Sequence, residues 1–108
     1  MTVEEIVKKL DLEVISSGNM AADIDGCYCS DLLSHCMSNI KSGNIWVTVQ
    51  TNINIAAIAV LTEPSCIIIA QGMNVDETVA KKAANENVTI LRSNLPAYEL
   101  CTSIGNLI

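Results

Sequence analysis

The sequence contains no phenylalanine, and Tyr28, Trp46 and Tyr98 are its only aromatic residues. Its interior is therefore built from Ile, Leu, Val, Ala and Cys. Cations are scarce as well: Lys and Arg number 6 against 12 Asp and Glu, for a net charge of −6. A phosphate backbone is held by neutralising charges, so this balance excludes nucleic acid as a partner. The acidic excess is a solubility feature. No apolar run approaches the ~20 residues of a transmembrane helix, so no membrane role is expected. The phosphate-cradling patterns G-x-x-x-x-G-K-[ST] and G-x-G-x-x-G are both missing, which removes the standard nucleotide loops. The amino terminus opens on an acidic amphipathic segment instead of a signal peptide, and the expected location is cytoplasmic. Five cysteines, an odd number set mostly within apolar runs, read as free thiols in a reducing compartment.

What is present fits one domain over 1–108, with half of its residues hydrophobic. Its centre is Asn44 to Gln71. Ile45 to Gln50 is rich in β-branched and aromatic residues and reads as a strand, with Ile45, Val47 and Val49 on one face and Trp46, Thr48 and Gln50 on a mixed one. Cys66 to Ala70 is apolar on both faces, as in a strand covered by helices on either side. Asn52 to Leu61 between them suits a crossover helix, capped by Thr51 or Asn52 and stopped by Pro64. That helix has little polar surface. Ile53, Ala56, Ala57 and Val60 form one stripe, and Ile55, Ile58, Ala59 and Leu61 occupy the rest. A helix apolar all round is buried all round, and so short a chain has few places to bury one. Either its own termini cover the second face or another subunit does. The second alternative makes Ile55, Ile58, Ala59 and Thr62 the interface of a homodimer.

The flanking segments are also legible. Thr2-Val3-Glu4-Glu5 is a capping box, and Val3, Ile6, Val7 and Leu10 give a helix over 3–10. Leu12 to Ile15 reads as a short strand, followed by the turn cluster Ser16 to Asn19. Ala22 to Ser30 is extended, with a bend or close backbone approach at Gly26. Ser30 or Asp31 then caps a helix over 31–41, whose core face is Leu32, Leu33, Cys36, Met37 and Ile40. Asn74 and Glu77 have capping-box spacing for a third helix, with Val75, Val79, Ala80, Ala83 and Ala84 inward and Asn87 in the left-handed turn that ends it. Val88 to Leu91 is a strand, and Pro96 sits in the first turn of a final helix docked by Leu100, Cys101, Ile104 and Leu107. Three strand–helix alternations predict an α/β fold of three layers, α/β/α, on a largely parallel, mixed sheet of about five strands.

Several groupings invite chemistry. Cys27, Cys29, His35 and Cys36 combine zinc-preferring ligand types, but the spacing is not C-x-x-C, and Cys36 belongs to a core stripe about 100° from His35. Buried thiols acting as small hydrophobes are the expected alternative, and no metal is assigned. A Cys–His nucleophile needs an accessible thiol beside the one histidine, and the cysteines read as inaccessible. Asp23, Asp25 and Asp31 suit turns and caps better than acid–base catalysis. Sheet topology gives a stronger candidate. Ligands of open α/β sheets bind beyond the carboxyl ends of the strands. There Thr51, Asn52, Asn54, Gln71, Asn74, Arg92 and Ser93 offer hydroxyls, amides, one cation and helix amino termini, which suit a small anion or nucleotide. Helix capping alone also accounts for Thr51, Asn74 and Ser93.

The stretch GCYCSDLLSHCMSNIKSGNIWVTVQTNINIAAIAVL, followed by CIIIAQG, resembles the DRTGG domain family. The resemblance covers nearly the whole chain and is strongest from Gly26 to Gly72. The segment corresponding to the letters of the family name reads Asp23-Ile24-Asp25-Gly26-Cys27, and Asn52 stands where many relatives carry His. Members occur alone or within larger proteins, such as some phosphotransacetylases and CBS-containing inorganic pyrophosphatases. The fold implied is similar to MurF and to the amino-terminal domain of HPr kinase/phosphorylase. The function implied is a non-enzymatic regulatory or small-ligand-sensing module, acting as a homodimer and without a cofactor. The alternative is a purely structural interaction domain that docks on a partner enzyme.

Overall fold

Cys66–Ile69 carries nothing more polar than a thiol, and every residue in it is buried. A strand of that kind needs a helix layer on each side. A computed structural model, which describes residues 1–108, places it at the middle of a five-stranded sheet. In chain order the elements are α1 (Val3–Leu10), β1 (Glu13–Ser16), β2 (Cys27–Cys29), α2 (Leu33–Asn39), β3 (Ile45–Thr48), α3 (Asn54–Thr62), β4 (Cys66–Ile69), α4 (Glu77–Asn85), β5 (Ile90–Arg92) and α5 (Ala97–Leu107). The spatial order is β1-β5-β4-β3-β2, with β2 to β5 parallel and β1 antiparallel at the edge. The expected three-layer, largely parallel sheet is therefore the fold that forms.

The order steps one strand at a time from β2 to β5. The crossover helices α2, α3 and α4 consequently share one face and one hand. Trp46, Ile67, Ile69 and Ile90 project into that layer and meet Cys36, Ile55, Ile58 and Val79. The helices near the chain ends, α1 and α5, cover the other face, where Ile45, Val47, Ile68 and Leu91 pack on Val3, Ile6, Leu100 and Ile104. Because helices cover both sides, Trp46 and Thr48 on the mixed face of β3 are as buried as their apolar neighbours.

The capping box holds as expected. Thr2 Oγ1 accepts the Glu5 N–H at 3.2 Å, and Glu5 Oε1 accepts the Thr2 N–H at 3.1 Å. Those bonds from Thr2 hold the Glu5 carboxyl below its usual range. Other helix starts differ from expectation. Helix α2 begins at Leu33 with Leu32 in the cap position and no side-chain cap. Ser30 Oγ instead accepts the Leu32 N–H at 3.3 Å. Asp31 Oδ1 accepts from Thr48 Oγ1 and from the Val49 N–H, both at 2.8 Å, so it clamps the end of β3. Asn74 and Glu77 form no capping box, because α4 starts two residues later than assumed, with Asp76 in the cap position. Pro96 likewise occupies the cap of α5, not its first turn. Asn87 adopts the left-handed conformation expected, at φ 58°. Helix α3 stops at Glu63, left-handed at φ 58°, with Pro64 behind it.

Candidate functional site

Helix α3 packs between α2 and α4, and that position decides which of its apolar residues face inward. Ile55, Ala56, Ile58 and Ala59 are buried in the chain's own core. This corrects the interface assigned from sequence: Ile55, Ile58 and Ala59 are each no more than 4% exposed and cannot form the centre of a subunit contact. Thr62 is half-buried, its hydroxyl spent on the Ile58 carbonyl at 2.8 Å. The outward face carries Ile53, Ala57, Val60 and Leu61, at i, i+4, i+7 and i+8, so it too is an apolar stripe. Helix α2 extends the patch. Leu32 and Met37, expected in the core, are 56% and 51% exposed; Cys36 and, beyond the helix end, Ile40 are the buried residues here, with Leu33 packed against them in part. A groove of about 370 Å³ runs between the two helices, lined by Leu33, Met37, Ala57 and Leu61, with Ile58 and Asn54 in its wall.

The carboxyl ends of the parallel strands do carry the expected polar rim. Asn52, Asn54, Gln71 and Asn74 are exposed there, and Thr51 is half-buried. Asn52 Oδ1 accepts the Asn54 N–H at 2.8 Å, an Asx turn leading into α3. Gln71 is left-handed at φ 61°, its N–H donating to the Leu95 carbonyl at 2.9 Å. The rim's cation is already engaged: Arg92 Nη2 lies 2.7 Å from Glu13 Oε2, and Nη1 donates to the Met73 carbonyl at 3.4 Å. Ser93 is buried, its hydroxyl accepting the Leu95 N–H at 3.1 Å. The parallel strands never reverse their order, so no switch-point crevice opens among these residues. A larger hollow, about 500 Å³, lies at the opposite, amino-terminal edge, where Asp23, Glu63 and Glu86 contribute only negative charge.

Four of the five cysteines divide into two sets, and Cys101 is intermediate in exposure. Cys36 and Cys66 are buried and pack as small hydrophobes. The Cys36 thiol donates to the Ser30 carbonyl at 3.4 Å, while its neighbour His35 is exposed. Cys27 and Cys29, by contrast, are exposed, which corrects the view that the thiols are inaccessible. Burial pushes every thiol up, Cys66 to about 12 and Cys29 to about 11. Thiols held so high are weak nucleophiles at neutral pH.

The family model described as the DRTGG domain matches residues 5–107. The chain belongs to the DRTGG domain family. Among solved structures, this DRTGG domain is similar to the CBS and DRTGG domains of the regulatory region of Clostridium perfringens pyrophosphatase, complexed with the activator diadenosine tetraphosphate. The match has a TM-score of 0.73 at 14% identity and covers 91% of this chain and 43% of that one. At that identity the likeness establishes the fold. The chain spans less than half the length of that solved structure. No curated protein matches it in sequence. No helix is long and apolar enough to cross a membrane.

Proposed function

We propose that this DRTGG domain is a non-catalytic regulatory module that works as a homodimer and responds to a small anionic ligand such as a nucleotide. The observation that carries the reading is the apolar face shared by α2 and α3. Leu61 is 69% exposed, beside Val60, Ile53, Leu32 and Met37. Polar rims with contiguous apolar centres mark association surfaces, and a two-fold axis through this face would set the α3 stripe of one copy against that of its partner. The absence of an activated nucleophile supports a non-catalytic role: the thiols are held protonated, and Cys36 turns its proton to the Ser30 carbonyl. Leu61→Asp is expected to halve the mass measured by analytical ultracentrifugation while leaving the far-UV circular dichroism of the folded chain unchanged. A wild-type chain that sediments as a monomer at micromolar concentration rejects the dimer.

The ligand half of the reading places the anion at the carboxyl rim, near Thr51, Asn52, Asn54, Gln71 and Asn74, where α3 and α4 begin. Support comes from the helix amino termini and amide groups gathered there and from the nucleotide activator bound by the pyrophosphatase regulatory region, which contains a domain of this fold beside its CBS domains. Arg92 and Ser93 would join it only if the anion displaced Glu13 from Arg92. A ligand at a hundredfold excess over its Kd stabilises the folded form by about 2.7 kcal/mol, which raises Tm by about 10 °C or more for a domain this size. A thermal-shift screen of nucleotides and inorganic anions reads this directly. If none of them moves Tm at millimolar concentration, the alternative gains: a domain that docks on a partner enzyme without a small ligand.

A further inference from the structure

The sheet face beneath α5 carries a group of thiols that the regulatory reading does not use. Cys27 is in register with Ile45 and, one strand further, Cys66; Cys29 is in register with Val47 and Ile68. Those four partners belong to the core under α1 and α5, so both strand cysteines project to that face. Strand β2 is the sheet edge, which leaves both thiols exposed. Helix α5 packs across β2, and Cys101 lies beside the buried Leu100 on the flank of that helix, half exposed. Cys101 packs against that same core, on the face to which Cys27 and Cys29 project, and the three thiols perturb one another's ionisation.

We propose that this group is an oxidation site, at which a peroxide joins Cys101 to one of the two strand cysteines in a disulfide that pins α5 to β2. Cys101 is the constant member. Cys27 and Cys29 are two residues apart on one strand, roughly 6.6 Å between Cα atoms with parallel side chains, at the outer limit for a bridge. An exposed strand thiol attacks one peroxide oxygen and the O–O bond breaks. The other oxygen leaves as water with the thiol's proton, and the sulfur becomes a sulfenic acid. The Cys101 sulfur then attacks that sulfur, the S–O bond breaks, and the second oxygen departs as water with the Cys101 proton. Two thiols have lost two electrons and two protons, and the peroxide has become two waters. Because burial holds Cys29 at about 11 and raises the other two, thiolate is scarce at neutral pH, and the site answers sustained oxidant in preference to traces.

The test treats the reduced full chain with hydrogen peroxide, blocks the remaining thiols with a maleimide and maps the digest by mass spectrometry without reductant. The expected product is a chain with no covalent link to another and two thiols fewer, with the Cys101 peptide linked to the peptide holding Cys27 and Cys29 and released by dithiothreitol. Closing a loop of roughly 70 residues raises Tm by about 10 °C or more. Cys101→Ala removes both the link and the rise. Sulfinic acids without a link, links only between chains, or the same linked species from Cys101→Ala would each overturn the proposal. The mapping on the unaltered chain stands even where the variant folds poorly. The site lies on the opposite face of the sheet from the α2–α3 patch, so loss of the dimer would leave it intact.

Discussion

Ile58→Asp is expected to unfold the protein and not to dissociate a dimer. Ile58 is 3% exposed and packs in the core between α2, α3 and the sheet. Truncating an aliphatic side chain at such a site costs about 2–5 kcal/mol through lost burial and the cavity left behind. A carboxyl group adds the cost of entering an apolar site without a partner, several kcal/mol if it stays charged. The sum exceeds about 4 kcal/mol, a large share of the 5–15 kcal/mol that holds a typical domain. Circular dichroism should show no cooperative melt at 25 °C, or a Tm more than about 20 °C below wild type. Leu61→Asp, one turn away and 69% exposed, should cost the fold of the single chain no more than about 0.5 kcal/mol, beyond whatever association contributes. The two substitutions therefore separate folding from association on a single helix. A well-folded Ile58→Asp variant that sediments as a monomer would mean α3 is turned the other way round.

That contrast marks the limit of what the residues reveal unaided. The apolar character of α3 is plain from its letters, and so is its need for cover. Which of its sides meets the sheet depends on where α2 and α4 lie, and a helix with almost no polar residue carries no periodic signal to orient it. Elements with contrast were legible: Thr2 and Glu5 name the start of α1, Cys66–Ile69 announces a central strand, and Asn87 marks the left-handed exit of α4. Groups whose partners come from distant strands were not. Asp31 looks like a helix cap because its neighbours in sequence are helical, yet its carboxylate serves the end of β3, 17 and 18 residues on. Arg92 looks like a free cation until antiparallel β1 brings Glu13 beside it. The shared face of Cys27 and Cys29 follows from strand alternation, whereas the approach of Cys101 needs α5 to be laid across the edge strand.

Trp46→Ala is expected to be the other severe substitution. Trp46 is the largest fully buried side chain and the sole tryptophan, standing on β3 with Ile67 of β4 beside it in register. It also ties two neighbouring strands together beyond the ladder: its Nε1–H donates to the Ser30 carbonyl at 3.1 Å, just past the end of β2. In a core without phenylalanine no other side chain is large enough to take its place. Removing it costs about 3–5 kcal/mol, or a fall in Tm on the order of 20 °C. Trp46→Phe keeps most of the apolar volume and forfeits the indole bond. The Cys36 thiol already donates to the same carbonyl, so Ser30 is not left bare. The bond itself is worth about 1 kcal/mol, and with the mismatch in ring size the total stays near 2 kcal/mol. Chemical denaturation followed by circular dichroism gives both values, since neither variant retains an indole for fluorescence. If Trp46→Phe were as damaging as Trp46→Ala, the hydrogen bond to Ser30, and not the filling of the layer beneath α2 and α3, would be what holds β2 to the sheet.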